Sequence, residues 1–121
     1  MMTRMLAAFC LLVLSSVASS AGEADVIGVD VRGSGTEYIF SVTVRHADTG
    51  WDHYADRWEV TGEDGKVYGV RELAHPHVDE QPFTRQGRAT IPLGIATVIV
   101  RARDSVHGYG GKEMKVSLPG R

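Results

Sequence analysis

A single cysteine, Cys10, stands in the 121-residue sequence, so no disulfide can form within the chain. That cysteine and three of the four methionines fall within Met1 to Ala21, which reads as a secretory leader. It carries one positive charge at Arg4, an apolar run from Met5 to Leu14, and small residues ending Ser19-Ser20-Ala21. Phe9 precedes Cys10 where a lipid-attachment signal wants a small residue, so lipid anchoring is not expected. Cleavage after Ala21 leaves residues 22–121, 100 residues in one ordinary domain, with no thiol and with Met114 as the sole methionine. Thiolate centres and methionine-rich copper(I) centres are thereby excluded, and a metal would need imidazole, carboxylate or backbone oxygen. Without disulfides the apolar core alone must stabilise the domain, which this length allows with little margin.

Basic charge is also short. Lys and Arg number 13 against 15 Asp and Glu, a formal charge of −2 that becomes −3 once Arg4 is removed. No basic footprint for nucleic acid or an anionic membrane follows from that balance. The run from Met5 to Leu14 is shorter than the ~20 residues a membrane-spanning helix needs, and no second run follows, so no membrane insertion of the mature chain is expected. No stretch carries a helical period, an internal repeat or low complexity.

What the sequence does contain is period two. Val26 to Arg32 alternates with Ile27, Val29 and Val31 on one face, and Glu37 to His46 places Tyr38, Phe40, Val42 and Val44 together. Asp56 to Thr61 turns through Gly62-Glu63-Asp64-Gly65 into Lys66 to Leu73, a hairpin. Gly87 to Ile91, Thr97 to Asp104 and Lys112 to Leu118 complete seven short strands. That number and spacing predict an all-β fold, an antiparallel immunoglobulin- or fibronectin-like sandwich with Trp58 in its core. A small closed barrel is the rival.

Three polar clusters interrupt the strands: Trp51-Asp52-His53-Tyr54, His75 to Gln86, and Ser105 to Gly111. In the expected sandwich the first and third share an end, and the place of the second depends on whether the fourth strand crosses between sheets. Where they meet, His53, His75, His77 and His107 supply imidazoles for one ion, with Asp52, Asp79, Glu80 or Asp104 as a ligand or as a carboxylate orienting a ring. In an extended chain His75 and His77 share a face with Cα atoms about 6.5 Å apart, whereas Pro76 favours polyproline geometry, in which the rings diverge. Imidazole with carboxylate suits zinc, copper(II) or non-haem iron. His46 is set aside because it ends a strand. The competing role for these histidines is structural, their nitrogens holding loop carbonyls. Trp51, Tyr54, Phe83 and Arg85 form a second set, suited to stacking on or pairing with a peptide or glycan. Ser105 and His107 lack a Gly-x-Ser-x-Gly elbow and an oxyanion hole, so no catalytic residue is assigned.

The strings Trp51-Asp52-His53-Tyr54-Ala55-Asp56, His75-Pro76-His77-Val78-Asp79-Glu80-Gln81-Pro82-Phe83-Thr84-Arg85 and Asp104-Ser105-Val106-His107-Gly108 resemble small secreted bacterial proteins of uncharacterised function. That resemblance implies export and a β fold. His75-Pro76 and the turn from Asp104 to Gly108 also resemble the iron domain of superoxide reductases, an immunoglobulin-like sandwich in which four histidines and a cysteine bind iron. Asp104 stands where that family has the thiolate of its Cys-x-x-His-Gly turn. Two function classes follow. The first is a non-enzymatic binding or accessory domain, periplasmic in a Gram-negative cell, with an unknown protein, peptide or glycan partner. The alternative is an exported histidine-based protein binding zinc, copper or non-haem iron, with redox activity as one use of the metal.

Overall fold

The structure is a computed structural model that describes residues 22–121; the expected leader, Met1 to Ala21, lies outside the described residues. Seven strands form: β1 (Asp25–Ser34), β2 (Glu37–Arg45), β3 (Ala55–Thr61), β4 (Val67–Glu72), β5 (Phe83–Thr90), β6 (Thr97–Asp104) and β7 (Met114–Ser117). They make two antiparallel sheets, ordered β1-β2-β5 and β4-β3-β6-β7, which is the β-sandwich that the strand spacing predicts. No helix among the described residues is long and apolar enough to cross a membrane.

The alternating residues of β2 do what their period dictates: Tyr38, Phe40, Val42 and Val44 are buried and form one cluster with Val98, Val100 and Ala102 of β6 and with Trp58 and Val60 of β3. Trp58 is 1% exposed, and truncating it to Ala is expected to cost about 3–5 kcal/mol. Two sequence expectations need correction. In β1 a bulge between Val26 and Gly28 resets the alternation, so Val26 is the fully buried residue, Val29 and Val31 follow it inward, and Ile27 does not lead the face. Strand β5 begins at Phe83, four residues before the expected Gly87. Its inward positions explain why the pattern hides it: Phe83 and Ala89 are buried, but Arg85 and Gly87 lie between them. Gly87 is small for a reason, since a Cβ there would meet Trp58 Cη2 at 2.7 Å across the sandwich.

Because the strands alternate in direction, the segment entering β1 and the junctions after β2, β4 and β6 gather at one end. Hydrogen bonds tie them together: Ser105 N donates to Tyr54 O, His77 N to Asp48 Oδ2, His46 N to Gln81 Oε1, and Val26 N to Lys112 O. All three polar clusters therefore share the end at which the chain enters β1.

Candidate metal centre

The burial of β2 continues one residue past its last pair. His46 lies on the same face as Val44 and is 2% exposed, so its imidazole is driven inward with the valines. A buried imidazole needs partners for both nitrogens. Nδ1 donates a short hydrogen bond to Asp48 Oδ1, and Nε2 donates to the backbone carbonyl of Gly22 at 2.8 Å. Asp48, itself buried, is pinned by the amides of Ala55 and His77, at 3.0 and 2.7 Å. One carboxylate thus fixes the direction of His46 and joins the loops after β2 and β4. Burial opposes charge on His46, yet the Asp48 hydrogen bond, the Gly22 carbonyl and the nearby charges of Asp48 and Asp104 outweigh it, and its pKa is raised above 6.5. Burial works against the Asp48 carboxylate as well, but the His46 hydrogen bond and the two amides leave its pKa lowered.

Two more imidazoles converge on the same carbonyl. His53 Nε2 stands 3.0 Å and His107 Nδ1 2.9 Å from Gly22 O. Asp104 Oδ1 completes the group, 3.1 Å from His53 Nε2 and 3.2 Å from His107 Nδ1. The turn after β6 holds that carboxylate in place: Val106 N and His107 N donate to Oδ1 at 2.9 and 2.7 Å, and these bonds outweigh burial to lower the Asp104 pKa. Gly22 fits only because it lacks a side chain, since a Cβ would lie 2.5 Å from His107 Cε1.

Hydrogen bonding does not balance this cluster. A carbonyl oxygen has two lone pairs, and three ring nitrogens crowd Gly22 O. Asp104 is fully buried, and among the described residues its Oδ2 has no hydrogen-bond partner. The spacing is also that of ligands on one ion. Two ligand atoms at right angles on an ion with bonds near 2.1 Å stand about 3.0 Å apart, close to the 2.8–3.2 Å separations here. The donor atoms of His46, His53 and Asp104 all lie within 4.8 Å of one another. Opposite ligands on such an ion are about 4.2 Å apart, so a contraction of a few tenths of an ångström suffices.

Of the histidines expected at a metal, His53 and His107 are here with Asp104, whereas His75 and His77 are not. His77 is buried between His75 and Phe83, its ring stacked on Phe83 at 3.9 Å between centroids and 4.5 Å from His75. Arg85 Nη2 donates to His77 Nε2 at 2.9 Å, and His75, exposed, keeps Nδ1 near Pro76 O. Glu80 pairs with Arg85 at 3.5 Å, and Asp52 and Asp79 are exposed. His46, set aside in the sequence because it ends a strand, is the most enclosed imidazole of the group, and Asp48, unnamed there, lies behind it. In the binding set Trp51 is 68% exposed and stands edge-on to Tyr54, while Phe83 is buried. Ser105 Oγ accepts from Tyr54 N and so braces two loops.

No protein-family model matches the chain. A protein of the archaeon Halomicrobium mukohataei named "Putative lipoprotein" is 44% identical over 95 residues, 78% of this chain, and the chain spans 47% of that relative's length. The crystal structure of a hypothetical protein from Pyrococcus horikoshii is similar with a TM-score of 0.54 and 18% identity, over 80% of this chain and 89% of that one. An oxidised superoxide reductase is similar with a TM-score of 0.50 and 16% identity, over 80% and 90% of the two chains. Both structures share the fold of this sandwich.

Proposed function

We propose that this chain is an exported protein that binds one divalent transition-metal ion through His46, His53, Asp104 and His107, with the Gly22 carbonyl beside them. The observation that carries the proposal is the convergence of three ring nitrogens on Gly22 O, with one buried carboxylate oxygen of Asp104 beside two of them, at the spacing of ligands on one ion. Nitrogen and hard oxygen donors in this ratio suit zinc, copper(II) or iron(II). Asp48 holds the Nδ1 proton of His46 and so directs Nε2 at the ion, the arrangement by which carboxylates orient metal-bound imidazoles. Binding displaces the Nε2 proton, which couples affinity to pH. Export is supported by the leader pattern of Met1 to Ala21 and by the lipoprotein name of the Halomicrobium relative.

The shared fold with superoxide reductase invites a comparison of donors. The resemblance implies four histidines and a thiolate there; here the cluster holds three imidazoles and a carboxylate. Loss of the sulfur removes the ligand that tunes that iron, so the proposal is metal binding and not superoxide reduction. Cobalt(II) titration of the processed protein is the test, since cobalt reports its coordination in visible absorption. A break at one equivalent is expected, and His53→Ala should abolish it. A flat response, or one that survives His53→Ala, would contradict the proposal.

A further inference from the structure

Cleavage after Ala21, the expectation from the leader pattern, falls immediately before the residue whose carbonyl sits at the centre of the three imidazoles. We propose, resting on the metal-binding reading above, that processing creates the last ligand: the free α-amine of Gly22 binds the ion together with the Gly22 carbonyl oxygen. Water adds across the Ala21–Gly22 peptide bond, leaving a carboxylate on Ala21 and an ammonium on Gly22, which gives up a proton when it takes the ion. Before cleavage that nitrogen is useless as a donor, because its lone pair is delocalised into the peptide bond. After cleavage its lone pair is free.

Covalent geometry makes the two Gly22 atoms natural companions. With the nitrogen and oxygen of one residue on the same side of the Cα–C bond they stand about 2.7 Å apart, the spacing of neighbouring ligands, and with the ion they close a five-membered ring. Gly22 O lies 2.8–3.0 Å from all three ring nitrogens, so an ion bound by the imidazoles is within reach of that oxygen. Gly22 is buried and pressed against His107, which fixes the new terminus against the centre instead of leaving it to fray. Three imidazoles, Asp104 and the two Gly22 atoms give six donors, a closed shell that suits holding or carrying a metal more than activating a substrate at an open position.

The test uses the exported chain and a variant with one Ser inserted between Ala21 and Gly22, the amino terminus of each read by intact mass. Zinc affinity is measured for both and for exported His46→Ala. The proposal expects a native chain beginning at Gly22, and a chain beginning at the inserted Ser that binds zinc at least about tenfold more weakly. A native terminus at any other residue overturns it. Equal zinc affinity of the two chains, with His46→Ala binding far more weakly, overturns the α-amine alone and leaves the imidazole centre standing. Zinc binding absent from the native chain, or unchanged in His46→Ala, overturns the centre and the amine together.

Discussion

Two groups of histidines occupy the same end of this sandwich and behave in opposite ways. His46, His53 and His107 turn a nitrogen each toward the Gly22 carbonyl, and the last two also toward Asp104. His75 and His77 turn their faces toward each other and His77 toward Phe83, with the Arg85 guanidinium on His77 Nε2. Neighbouring charge separates His46 from His77. His46 has Asp48 and Asp104 against it, whose pull outweighs burial and raises its pKa; His77 has burial and the charges of Arg85 and His75, which lower its pKa.

The comparison can be broken most sharply by removing a ring from each group. His46→Ala should lower zinc affinity by at least about a hundredfold, whereas His75→Ala should leave it within about twofold, both read by competition against a chelator dye. Equal losses would erase the distinction. Next in size, Phe83→Ala should destabilise the fold by about 3–5 kcal/mol in urea unfolding, because it empties a fully buried site under His77, while leaving one zinc site per chain. Asp48→Asn should weaken zinc binding by about ten- to a hundredfold without touching a ligand, since it releases the ring that Asp48 orients.

The smallest effect is the pH dependence of the metal-free protein. The His46 pKa is raised, so its stabilising contribution is complete below pH 6.5 and is lost as pH rises through the folded-state value. Asp48 is lowered, so its contribution is complete above pH 3.8 and is lost as pH falls through its own depressed value. His77 has the other sign for a histidine: its contribution is complete above pH 6.5 and is lost on acidification. Urea midpoints should fall as pH rises above 6.5 through the raised His46 pKa in the native protein, and less so in Asp48→Asn. A slope unchanged in Asp48→Asn would remove the His46–Asp48 pair from the account.

The fold was legible because the alternation of β2 and β6 is clean, and both bury the residues their period selects. The start of β5 was not, since its inward positions include Arg85 and Gly87, which carry no apolar signal. Three of the four side chains of the candidate centre could be found from residue type alone: His53 and His107 are polar loop residues and Asp104 is the polar end of β6. His46 was passed over because it ends the strand. Tyr38, Phe40, Val42, Val44 and His46 form one unbroken period-two series, and its continuation places His46 in the interior. A histidine entering the core with an aspartate two residues later was the available sign. The role of Gly22 had no such sign, because its carbonyl reaches the site through contacts made 24, 31 and 85 residues away in sequence.

The most direct test of the central claim is the metal content of the processed, untagged protein, measured by elemental mass spectrometry for the native chain and for His46→Ala/His53→Ala. The account predicts close to one zinc, copper or iron per native chain and none in the double variant. A native protein that carries no metal, and whose melting temperature does not move when zinc, copper(II) or iron(II) is added, would contradict it.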